Sequence, residues 1–120
     1  MSRRVSIVKS EIPGPYNILD LEEGQSIEFI AVGFKEGTAT REIFEMGRRV
    51  TREGPILRVF ADLSTPVFGA PHVDVLAGRT IALLKTIFEN VGLPVKLKLT
   101  AHGKEPSKYY EVHYEVIGRE

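Results

Sequence analysis

Residues 76–101, LAGRTIALLKTIFENVGLPVKLKLTA, change their period halfway. Ala77, Ile81, Leu84, Phe88 and Val91 recur at three- and four-residue spacing, the apolar stripe of an amphipathic helix, while Arg79, Lys85 and Glu89 fall off it. Gly92 and Pro94 are stop signals. From Val95 the pattern alternates: Val95, Leu97, Leu99 and Ala101 inward, Lys96, Lys98 and Thr100 outward. The spacing predicts a helix over 76–91 and a strand over 95–101.

Everything around this helix reads as strand and turn. Upstream, QSIEFIAVGF (25–34) is rich in β-formers and apolar on both faces after Glu28, which predicts a central strand. KEGTA (35–39) is an expected loop and TREIFEM (40–46) a second strand, with a turn at Gly47-Arg48. PILRVFADL (55–63) is the third, with Leu57, Val59, Ala61 and Leu63 on the core face and Ile56, Arg58, Phe60 and Asp62 opposite. STPVFGAPHVD (64–74), with two prolines and a glycine, is an expected loop. Downstream, HGKEPSK is a polar turn, and YYEVHYEVI (109–117) alternates Tyr110, Val112, Tyr114 and Val116 against Tyr109, Glu111, His113 and Glu115. Residues 1–17 read as an arm: a short strand in RRVSIVK, broken by EIPGPYN. The arm leads into one domain, 18–120, and there is no internal repeat or low-complexity segment.

A chain of 120 residues with 42% hydrophobic and 27% charged residues is long enough for one domain with a real core. The absence of cysteine excludes disulfides, thiolate catalysis and Cys-ligated metals. No apolar run approaches the roughly 20 residues of a membrane helix, and the N-terminus lacks a signal-peptide core, so a cytoplasmic protein is expected. Two Asn, one Gln and no Cys resemble a thermophile's usage. The formal net charge is zero, which argues against a general polyanion binder. Charge is nonetheless segregated along the chain. Residues 46–60 carry Arg48, Arg49, Arg52 and Arg58 against Glu53 alone, and 79–108 carry six cations against Glu89 and Glu105.

Three strands, one helix, two strands is an order that resembles the OB-fold, a five-stranded, partly open Greek-key barrel. The resemblance covers about residues 18–117 and rests on element order, not on a diagnostic motif. It implies a mainly β protein whose helix, between strands three and four, plugs the barrel with Ile81, Leu84, Phe88 and Val91. The competing architecture is an α+β arrangement, one helix on a curved antiparallel sheet.

Catalytic constellations are missing. His72, His102 and His113 do not stand at i, i+4 on a helix. His72 with Asp74, and Glu111 with His113, place two ligand types near each other, but two ligands alone do not make a metal site. Ser64, Thr65 and Ser107 have no base in register. Asp20, Asp62 and Asp74 are isolated acids, where a metal-dependent nuclease needs converging carboxylates. GRT (78–80) lacks the context of a phosphate loop. A non-catalytic protein with no cofactor and no metal is expected.

The stronger pattern is cations interleaved with rings, which single-stranded nucleic-acid binders use to track phosphates and stack bases. Arg58 and Phe60 share the non-core face of the third strand; Arg41 and Phe44 lie on the second; Arg48, Arg49 and Arg52 occupy the turn between. The OB resemblance implies a groove formed by strands two and three with the loops after strands one and four. In this sequence those loops are 34–40, with Phe34 and Lys35, and 102–109, with His102, Lys104, Lys108 and Tyr109. The expected function is binding of single-stranded DNA or RNA with little sequence specificity, in replication, recombination or repair. The alternative is a protein–protein adaptor, anchored by Phe60, Phe68 and Tyr109 with Arg at the rim. Either is compatible with a monomer or a homodimer, and the arm provides a strand for a neighbouring chain's sheet edge.

Overall fold

The alternating segments form one antiparallel sheet with a single helix against it. In a computed structural model describing residues 5–104 and 107–117, the elements are β1 (Val5–Ser10), β2 (Ser26–Glu45), β3 (Arg48–Ala61), β4 (His72–Val75), α1 (Gly78–Val91), β5 (Val95–His102) and β6 (Tyr109–Val116). The strand order is β4-β3-β2-β5-β6, with β1 also paired to β2. β3 takes one edge of β2; β5, along 26–31, and β1, along 39–43, share the other.

The helix and the alternation after it stand where the spacing puts them. Ile81, Leu84 and Phe88 are buried on Phe29, Ala31, Leu57, Val59, Val73, Val75, Val95, Leu97 and Leu99. Each such large side chain contributes about 1.5–3 kcal/mol. Gly92 closes α1 with φ 86° and ψ −177°, its N–H reaching Phe88 O at 3.0 Å. That backbone region is open essentially only to glycine.

The mainly β architecture is as expected, but the five-stranded barrel is not. The expected strands 25–34 and 40–46 are one 20-residue strand, and the expected loop 35–39 lies inside it. Every residue from Gly33 to Glu45 has a partner on β3, so the backbone of this stretch is laddered. Gly37, which reads as a loop residue, answers a different need. A Cβ there would sit 3.3 Å from the Glu11 side chain, and glycine inside a strand marks such a close approach. The expected loop 64–74 ends in β4, where His72–Val75 pair with Phe60–Leu57. Val73, Asp74 and Val75 are all buried, and burial on both faces erases the alternation that identifies a strand. Leu63 lies past the end of β3 and is exposed rather than in the core.

The sheet is open. Its end strands are β4 and β6, and the outer edge of β4 is taken by the chain before β2. Asp74 N–H donates to Asn17 O at 2.7 Å and Leu19 N–H to Asp74 O at 2.8 Å. Expected-arm residues are therefore part of the body. The backbone of 5–10 forms β1, and Ile12 packs with Ala39, Ile56 and Leu76 in a second cluster on the face away from α1. Residues 1–4, 105–106 and 118–120 of the expected arm, turn and C-terminus lie outside the described residues.

β4 covers β3 only at 57–60, and β5 covers β2 only at 26–31. The rest of the β2–β3 hairpin projects beyond them, supported by β1, and the molecule measures 54 × 30 × 26 Å.

Candidate nucleic-acid interface

The hairpin ends in a two-residue turn, with Glu45 opposite Arg48. Met46 (φ 49°) and Gly47 (φ 76°) both take positive φ, the mirror-type turn whose twist matches that of the flanking strands. The register pairs Phe44 with Arg49 on the helix-side face of the ribbon, and Arg41 with Arg52 on the other. Arg48, Arg49, Arg52, Phe44 and Met46 are all exposed, Phe44 by 61%. The hairpin also brings acids beside the arginines. Glu42 lies 3.7 Å from Arg49, and four arginines against three glutamates in 41–53 leave a balance of +1. Arg41 is not at the surface with the others. It lies across β3, donating to Pro55 O at 2.8 Å, and its half-burial lowers its pKa by disfavouring the charged form. Gly54 leaves room for it: a Cβ there would lie 2.6 Å from its guanidinium.

Arg58, expected in the groove, is inside the protein. It is 8% exposed and donates to both oxygens of Asp74, Nε to Oδ1 at 2.7 Å and Nη2 to Oδ2 at 3.2 Å. Asp74 is fully buried and also accepts the Asn17 N–H at 2.8 Å. Arg58 gives a further bond to Pro15 O at 3.1 Å and lies 5.8 Å from the Tyr16 ring centroid. The segment after β1 thus closes over this part of the sheet. Asp74, Tyr16 and Asn17 complete an ion-pair network that the strand pattern does not announce; the one signal is an acid between the valines of HVDV.

Phe60 is 38% exposed on the same face, two residues beyond Arg58 and opposite Gly33. Lys35 is exposed, opposite Arg58. Phe34 faces the other way and stacks on Phe88 of α1, with centroids 5.0 Å apart. It belongs to the rim of the core. At about 3.3 Å per residue, Phe60 and the hairpin tip lie roughly 40 Å apart along β3.

The β5–β6 turn carries a third group. Lys104 is exposed. Lys108 is occupied, 2.9 Å from Asp20 and over the Tyr110 ring. Tyr109 stacks on His102 at 5.3 Å. Glu111 bridges two imidazoles: His102 Nε2 at 2.9 Å from Oε1, and His113 Nε2 at 3.2 Å from Oε2. The hydrogen bond from His102, helped by the charge of His113, holds the Glu111 carboxyl below its ordinary range. Glu111 and His113 are thus adjacent, as their spacing implies, and so are His72 and Asp74 at 3.6 Å. Among the described residues no group of three or more such side chains is placed to hold a metal ion.

The twelve candidate residues therefore do not line one groove. Arg58, Arg41, Lys108 and Phe34 are engaged within the fold. Phe44, Arg48, Arg49 and Arg52 gather at the hairpin tip, with Met46, which the sequence reading passed over. Phe60 with Lys35, and Tyr109 with Lys104, form two further exposed places. Among the described residues no helix is long and apolar enough to cross a membrane. No family model, no curated protein and no solved structure matches the chain.

Proposed function

We propose that this protein binds single-stranded nucleic acid without catalysis, as an opened OB-like domain whose contact surface is the projecting hairpin and the β5–β6 turn. In this reading β2 to β4, α1, β5 and β6 are the five strands and the helix of the OB order. The loop after the first strand is then Met46-Gly47, and the loop after the fourth is 103–108. These are the loops such domains use for ligand. One observation carries the reading: each of them presents an exposed ring beside a cation or an imidazole, Phe44 with Arg49 and Tyr109 with the half-exposed His102. A Phe left 61% exposed at a hairpin tip gains little from burial, whereas a base stacked on it gains about 1–3 kcal/mol.

The test is fluorescence anisotropy of a labelled 20-nucleotide single strand, with the same sequence as a duplex for comparison. Three to five phosphate contacts give a log–log salt slope of about −2 to −3.5. Binding that is stronger for the single strand, with a slope in that range, supports the reading. Phe44→Ala should then weaken it by roughly 5- to 150-fold. No binding at low salt removes it.

A second reading, a protein-binding module, is favoured by the mixed charge of the tip, where Glu42 lies beside Arg49, and by the fully exposed Met46. A partner held there by Phe44 and Met46 would bind with little salt dependence.

A further inference from the structure

We propose that β6 is a self-pairing edge: two copies of the chain join β6 to β6 antiparallel, about a two-fold axis through Val112, so that the sheet continues from one copy into the other.

Among the described residues, three long stretches of strand edge face outward: β1, residues 48–56 of β3, and β6. Exposed edges template pairing with another chain unless they are blunted by charge, proline or a bulge. β1 carries an irregularity between Ile7 and Lys9, and Lys9 itself. The open part of β3 carries Arg48, Arg49, Arg52 and Pro55. β6, YYEVHYEV, has no proline and no bulge, and its two carboxylates, Glu111 and Glu115, each meet an uncharged or imidazole side chain in the pairing below. Its helix-side face also leaves Tyr114 52% and Val116 61% exposed at the margin of the core, where an added strand would cover them.

The register that pairs most of the strand with itself, residues 109–115, is self-complementary. With Val112 on the axis, the faces of β6 match: Tyr110 meets the second copy's Tyr114, Glu111 meets its His113, and Tyr109 meets its Glu115. Aromatic pairs and a carboxylate opposite an imidazole are favourable cross-strand neighbours. Shifting the axis to Glu111 or His113 instead brings Glu111 against Glu111 or against Glu115, and like charges directly opposite are unfavourable. A two-fold axis makes each of these contacts occur twice.

The chain has no cysteine, so a single introduced one reports the register cleanly. Residues on the axis have Cα atoms about 4.5–5.5 Å apart, within disulfide range. Val112→Cys should therefore oxidise to a covalent dimer, while Leu63→Cys, exposed and remote, should not. Sedimentation of the unmodified chain without nucleic acid, at about 100 μM for an interface of modest size, should give twice the 13.4 kDa monomer mass. Tyr114→Lys should raise the dimer dissociation constant by about tenfold or more, by placing two lysines beside the joined edge. A monomer at that concentration overturns the proposal. So does a dimer in which Val112→Cys cross-links no faster than Leu63→Cys, since the copies then meet elsewhere. The outcome is independent of whether nucleic acid binds.

Discussion

Arg58 stands on a strand face that alternation assigns to solvent, yet it is one of the most enclosed charges in the fold. Two hydrogen bonds tie it to a carboxylate that water does not reach. Removing one partner of such a pair leaves the other charge buried alone, at about 3–5 kcal/mol. Arg58→Ala should therefore lower the unfolding free energy by that amount in urea titration; a loss below 1 kcal/mol would mean the pair is not formed. The double change Arg58→Leu with Asp74→Leu should cost less than the single one, because no isolated charge remains. Leu84→Ala, at a fully buried position on the inner face of α1, should lose about 2–5 kcal/mol. Of these two sites, only Leu84 is legible from spacing alone. An apolar residue on a periodic stripe has one destination, while an arginine on a strand goes to water or to a partner, depending on what covers it.

At the scale of elements, the segment after β1 is clipped to the hairpin by Glu11. Its Oε1 accepts the Thr38 hydroxyl at 2.8 Å and the Thr38 N–H at 2.7 Å, and the hydroxyl bond is the main cause of its lowered pKa. The folded-state pKa lies below the ordinary 4.5, so the clip's contribution is complete above that value. It is lost as pH falls through the folded-state pKa. Hydrogen exchange at the Thr38 amide should accelerate in that acid window, relative to β5 amides. Unchanged relative protection there would contradict the assignment. The hairpin turn offers a second check. Met46 holds positive φ, which costs a non-glycine residue about 1–2 kcal/mol, and Asn-Gly suits this turn better. Met46→Asn should raise the melting temperature; a lower one would mean that the Met46 side chain contributes contacts to the fold. The turn's position is legible in MGRR, but the length of the strands behind it is not. Gly37 carries the same sequence signal as a loop glycine, and only the Glu11 side chain pressed against it explains its place.

At the scale of the whole molecule, an open sheet with one projecting ribbon distributes the candidate residues over three exposed places. A groove would concentrate phosphate contacts; separated places make fewer, so salt should weaken binding less steeply than for a cation-lined channel. The charge balance follows the same logic. Read along the chain, 46–60 is strongly positive, but the hairpin lays Glu42 beside Arg49 and the surface becomes mixed.

The sequence by itself determined the helix, its buried stripe, its glycine stop, the alternating strands beside it and the mainly β class, because periodicity and backbone freedom are local properties. Only the tertiary structure decided that the sheet is open, that β4 is a strand, that Arg58 and Lys108 are internal, and that the arginines of the tip stand among glutamates. Each of those depends on which segment lies over which face and which strand meets which edge, and residues 5–19, far from these sites in sequence, supply much of that cover.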